Sequence, residues 1–287
     1  MKKKRNTKVS SIIYESIFAI LALVVVSYAW FVFSNQASTT GIDLEVIGAI
    51  DISISNDGKN WSKSTSISPQ DKMALSELSG DGINLFYPVI SNKEVQGYTD
   101  VSEFSQTDVS YLEFKFYISS SGPVSIYYGV DCSVVPLDNS KLADNIAGAI
   151  RVACFETTEG KKPTSSIVWA PNSTYQYSNG AVNKSGTVED KYTYATSSST
   201  TLKTISTNGA VSGVSTDKKF IWGDITEQMI VDMDPITTIN TEYGKEASVE
   251  LTVRIWVEGT DREAVRELLG GQFKVHLSFK AGDVDEE

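Results

Sequence analysis

Ala247 to Glu258 reads ASVELTVRIWVE, with Val249, Leu251, Val253, Ile255 and Val257 at every second position. A period of two lines up these side chains on one face of an extended strand, whereas a helix would need a period of 3.6. The same pattern recurs along the chain. Leu112, Phe114, Phe116 and Ile118 share a face, and so do Ile126, Tyr128, Val130, Cys132 and Val134. Ile150, Val152 and Cys154 come next, and a short run from Ile167 to Ala170 is stopped by Pro171. Phe273, Val275, Leu277 and Phe279 form the last strand. Earlier, Ile42, Leu44 and Val46, then Ile50, Ile52 and Ile54, alternate with acidic and hydroxyl residues. Asn56-Asp57-Gly58 and Ser121-Gly122-Pro123 supply turns, and Trp61 is expected on a return strand. Many short half-buried strands predict an all-β chain, an antiparallel jelly-roll-like β-sandwich.

Helices are the exception. Thr260-Asp261-Arg262-Glu263 has the spacing of a capping box, with Ala264, Val265, Leu268 and Leu269 on one side and Gly270-Gly271 as the stop. It predicts one short helix before the last strand. Residues 34–41 read as a linker, 42–280 as the sandwich domain and 281–287 as an acidic tail. Two stretches, about 62–108 and 172–219, read as loop-rich insertions, the first with a short helix near Asp71 to Leu78. The second is rich in Ser, Thr, Asn, Gly and Tyr and holds an echo, SNGAV at 178–182 and TNGAV at 207–211. It reads as an exposed ribbon, or as an adhesive or glycosylated loop.

The N-terminus has a different logic. Lys2, Lys3, Lys4, Arg5 and Lys8 precede an apolar run of 18 residues, Ser16 to Phe33. A basic cluster stays on the cytoplasmic side, so the chain beyond the apolar run is translocated. Two readings stand. Ser27 and Ala29 supply small residues for signal-peptidase cleavage before Trp30. Alternatively the run from Ser16 to Phe33 is an uncleaved membrane helix. Either way the expected partners are the membrane and the export machinery, and the expected location is the cell surface or the exterior.

Charge narrows the partners. The leader's five basic residues against Glu15 give +4, so with −11 overall the remainder carries −15. An acidic domain repels phosphate backbones, which argues against nucleic acid. No HExxH, GxSxG, P-loop or CxxC motif is present, and His276 is the only histidine. His276 falls on the solvent side of its strand, and Asp232 and Asp234 are one acidic pair among many. The expectation is therefore a chain with no catalytic residues and no cofactor. A calcium site made of loop oxygens stays open, its ligands unknown. Cys132 and Cys154 lie on apolar faces and are either two buried thiols or one disulfide.

Three stretches carry a family resemblance. The leader with Ala29-Trp30-Phe31 and the subsequent GIDLEV resembles those of TasA/camelysin-like exported proteins of Gram-positive bacteria. LEFKFYI at 112–118, GAIRV at 148–152, VWAPN at 168–172 and VRIWVEGTDREAVRELLGG at 253–271 resemble an uncharacterised branch of those sandwich proteins in Firmicutes. The resemblance implies a jelly-roll-like domain at the cell surface. It also implies a structural role in cell-wall or biofilm-matrix fibres through self-association, with an N-terminal strand donated to the next subunit. Residues of about 41–55 would then form an edge strand or an exchangeable one. Camelysin is described as a metalloprotease, but this chain lacks a zinc motif. A surface adhesin, or a carbohydrate- or calcium-binding module, is the alternative, and a hydrolase a more distant one.

Overall fold

The computed structural model describes residues 37–47, 52–67, 73–91, 94–103, 111–136, 148–171, 176–178, 181–183, 191–261, 264 and 272–284. The 1–33 segment, with Ser16, Ser27, Ala29, Trp30 and Phe33, lies outside them, as does most of the helix expected at 260–269. No helix among the described residues is long and apolar enough to cross a membrane.

The described chain is all-β, arranged around two large sheets. Numbered in chain order, the first sheet holds β1 (Ala37–Ile47), β3 (Ser64–Ile67), β4 (Met73–Leu75), β9 (Val124–Tyr128), β10 (Ser133–Pro136), β19 (Thr237–Ile239) and β21 (Gln272–Gly282). The second holds β2 (Ile52–Ser55), β5 (Glu77–Gly80), β6 (Leu85–Ser91), β7 (Glu94–Asp100), β8 (Leu112–Ser120), β11 (Ile150–Thr157), β12 (Ile167–Ala170), β17 (Gly213–Val214), β18 (Phe220–Trp222) and β20 (Ala247–Glu258). Two small hairpins stand apart in the pairing: β13 (Gln176–Ser178) with β14 (Ala181–Asn183), and β15 (Lys191–Ala195) with β16 (Leu202–Ser206). Helix α1 (Glu227–Asp232) is capped by Thr226, whose hydroxyl accepts from the Met229 N–H.

The core obeys the alternation. Ile42, Leu44, Val275, Leu277 and Phe279 of the first sheet are fully buried, as are Phe116, Ile118, Val152, Leu251, Val253 and Ile255 of the second. All belong to one apolar cluster. Phe279 bridges the layers, with its ring 5.1 Å from Phe116 and 6.0 Å from Tyr128.

Several expectations need correction. The sandwich is not purely antiparallel: β1 with β21, β12 with β18 and β5 with β20 are parallel pairs. The linker is shorter than 34–41, because Ala37 already pairs with Leu75. The helix expected near Asp71–Leu78 is replaced by β4 and β5, and the 62–108 stretch holds β3 to β7. Those strands run only three to seven residues, too short for alternation to stand out from the Ser, Asp and Gly around them. The apolar series from Ile126 to Val134 breaks at Gly129, where an added Cβ would collide with Ser278 Oγ. The chain therefore leaves β9, turns, and resumes as β10 beside the other half of β21. Ala281 and Gly282, read as tail, complete β21.

The 172–219 stretch is not simply an exposed ribbon. Tyr192, Tyr194 and Ile205 of its second hairpin are buried with Val168, Ala170, Phe220, Trp222 and Trp256 in a second apolar cluster. The two echoes part ways. In the first, Ser178 pairs with Ala181, and Asn179-Gly180 between them lie outside the described residues. The second turns the chain with positive φ at Asn208 (51°) and Gly209 (78°), but leads into β17, which pairs with β18.

Candidate functional site: a core-seated first strand and a covered outer face

β1 is built from GIDLEV, and its alternation sorts its side chains cleanly. Ile42, Leu44 and Val46 enter the core, each contributing on the order of 1.5–3 kcal/mol by burial. Asp43 and Glu45 face out. Parallel pairing sets Ile42 against Val275, Leu44 against Leu277 and Val46 against Phe279. A slip by one residue would turn the apolar set to solvent, so this register is strongly specified. The outer face adds charge matching: Lys274 pairs with Asp43, and His276 Nε2 lies 3.6 Å from Glu45 Oε2. Ser66 of β3 donates to Asp43 at 2.9 Å. The Lys274 hydrogen bond is the main reason Asp43 is held below the usual carboxylate range.

β1 is thus an interior strand, not an edge, with β21 on one flank and β3 and β4 on the other. It is also the first strand of the sandwich, and its parallel partner is the last. No hairpin can link such a pair. Removal of β1 would open a groove between β21 and β3, lined by unpaired backbone groups and by Val275 and Leu277.

The outer face of the second sheet is organised differently. Alternate positions of β11 and β20 that read as solvent-facing are covered instead. Arg151 is 2% exposed and Glu258 1%. The Arg151 guanidinium donates to the Gly148 and Ile150 carbonyls at 2.6 and 2.9 Å and to the Asp261 carboxylate. It also lies 5.2 Å from the centre of the Tyr192 ring, under the second hairpin. Glu258 accepts from Trp256 Nε1 at 3.2 Å and from the Thr260 N–H at 3.3 Å.

Thr260 Oγ1 lies 2.5 Å from the Thr193 carbonyl of β15 and 2.9 Å from Glu258 Oε1. Burial, the largest influence, raises the Glu258 pKa; Arg151 and hydrogen bonds from Ser79, Trp256 and Thr260 oppose it.

Other residues singled out in the sequence fall away from these sites. Cys132 and Cys154 are both buried, free thiols. Burial pushes the Cys132 thiol up to about 11, and burial together with the nearby Cys132 raises Cys154 further. Such thiols are poor nucleophiles. Asp232 accepts from Gln228 at 3.2 Å within α1, and Asp234 sits just beyond that helix. No group of three or more His, Cys, Asp or Glu among the described residues could hold a metal ion. Sequence reasoning missed Arg151, Glu258 and Asp261 as a cluster. Two signals were present: Trp256 among the supposedly outward residues of β20, and the Tyr192/Tyr194 alternation in KYTYA.

With this geometry established, comparison with known proteins gives no lead: the chain matches no family model, no curated protein and no solved structure.

Proposed function

We propose that this chain is a non-catalytic structural protein of the cell surface or extracellular matrix, a jelly-roll-like sandwich that self-associates by exchanging β1. The observation that carries this reading is the seat of β1. It is the first strand of the sandwich, it fills the core with Ile42, Leu44 and Val46, and it pairs in parallel with the last strand. A strand of that kind can leave its own subunit and enter a neighbour's vacated groove with every contact preserved. Exchange then costs little at equilibrium, and head-to-tail repetition yields fibres. The apolar run at 16–33 and the basic residues before it support export, with membrane attachment or release as its two outcomes.

Deleting residues 34–48 tests the idea. The deletion protein is expected to lose assembly and to regain a cooperative unfolding transition when a peptide of residues 37–47 is added in trans. Protein that stays monomeric at high concentration, with association unchanged by the deletion, would sink the proposal.

A further inference from the structure

The second hairpin does more than cover the outer face. Between β15–β16, the 81–84 turn, the 162–166 segment and β18 lies an open cleft with a volume of about 310 Å³. Its charged and amide lining is Asp81, Asn84, Lys162, Lys203, Asp217 and Lys219. Thr164, Ser165 and Thr196 add hydroxyls. A second hollow of about 490 Å³, lined by Ser206, Asn208 and Trp222, adjoins it and shares Lys203 and Asp217. The two form one groove, with the Lys203–Asp217 ion pair (2.6 Å) as a saddle between them.

The carboxylates in this groove are already engaged. Asp81 accepts from the Ile83 and Asn84 N–H groups at 3.0 and 2.7 Å through one oxygen, and from the Asn84 amide at 3.1 Å through the other. Asp217 accepts from Lys203 through one oxygen, and from Ser215 Oγ at 2.5 Å and the Lys219 N–H at 3.3 Å through the other. Lys203 is engaged by Asp217 and the Tyr194 ring, but the other two ammonium groups keep free donors. Lys162 makes one hydrogen bond among the described residues, 3.3 Å to Asn84 Oδ1, and its charge also reaches Asp100. The Lys219 ammonium is exposed and makes no hydrogen bond or ion pair among the described residues, while its backbone carbonyl fixes it beside Val168 at 2.9 Å. The lining therefore presents donors. It carries three lysines against two satisfied aspartates, in a chain whose net charge is −11.

We infer that the groove binds an anionic glycan. A sugar carboxylate sits between Lys162 and Lys219, and ring hydroxyls meet Thr164, Ser165 and Thr196. Cation binding is disfavoured because both carboxylates are already engaged by internal donors and the lysines outnumber them. The aromatic floor, Tyr194 and Phe220, is stacked at 6.0 Å and nearly buried, so it sets the hairpin's position and leaves recognition to the polar rim. The acidic remainder repels polyanions at a distance, so affinity has to arise locally and should fall as salt screens the two ammonium contacts.

Titration calorimetry on the full chain, held in detergent, tests this with polygalacturonate oligomers, a poly(glycerol phosphate) and neutral dextran. Polygalacturonate should bind and dextran should not. The double variant Lys162→Gln/Lys219→Gln should weaken polygalacturonate binding at least tenfold while leaving the unfolding transition in place. Lys245→Gln, in an exposed pair with Glu242, is expected to leave binding unchanged. Silence toward polygalacturonate, binding of the phosphate polymer alone, or an equal loss in Lys245→Gln would overturn the proposal. None of these outcomes depends on β1 exchange, so failure here leaves the assembly reading standing.

Discussion

Over most of β11 and the C-terminal half of β20 both faces of the second sheet are buried, yet they are held by different physics. On the inner face, Leu251, Val253 and Ile255 of β20 meet apolar side chains of the first sheet, and shape alone is at stake. On the outer face the same strand presents Thr252, Arg254, Trp256 and Glu258 to a cover of turns and hairpins. Arg151, Asp261 and Glu258 are buried there with matched donors and acceptors. An apolar core tolerates exchange of one strand for an identical one. A charge-matched cover tolerates little, because each buried charge depends on one partner. The contrast separates two kinds of burial: the inner face is held by apolar packing, and the outer face by paired charges and hydrogen bonds.

The sharpest way to break this comparison is Asp261→Ala. It strands the Arg151 guanidinium in a buried site and is expected to cost about 3–5 kcal/mol in urea unfolding. Adding Arg151→Met should recover much of that loss, and a single-variant cost near zero would show that the cover is not charge-locked. Next comes Leu44→Ala, which removes packing from the inner face. It should cost about 2–5 kcal/mol and weaken assembly in parallel.

A smaller effect separates the faces by pH. Glu258 has a folded-state pKa above its ordinary 4.5, so the folded protein holds the proton more tightly than the unfolded chain. Its contribution is fully present below pH 4.5 and is lost as pH rises through the folded-state pKa. Arg151 of β11, Asp261, Tyr98 of β7 and Tyr192 of β15 are the charged or titratable groups around it. Asp43 and Glu250 work in the opposite sense, since lowered pKa values make them lose stability as pH falls. The difference between wild type and Glu258→Gln across a pH series isolates the Glu258 part. A difference that stays flat with pH would refute the raised pKa. The smallest effect is expected at the outer rim of the first sheet. Asp43→Asn should cost no more than about 1 kcal/mol, less still in molar salt, because the Asp43–Lys274 pair is partly exposed.

These effects also mark how far the sequence could be read. β8, β11, β20 and β21 were legible because each is long enough for alternation to repeat several times. β4 and β5 do not stand out as strands in the sequence because three or four residues do not define a period. Lys162, Lys203 and Lys219 looked like scattered surface charges, since only the folding of β15–β16 onto β12 and β18 brings them to one groove.

By itself the sequence determined the all-β class, the inward face of each long strand and the acidic balance of the chain, because these depend only on local periodicity and composition. Tertiary structure alone decided that β1 lies parallel to β21, that the supposedly outward faces of β11 and β20 are covered, and that Glu258 is buried beside Arg151 and Asp261. The reason is physical. Periodicity tells a strand which of its sides is apolar, but not what will be laid over its other side, and that choice is made by contacts between residues as far apart as Arg151 and Asp261 or Asp43 and Lys274.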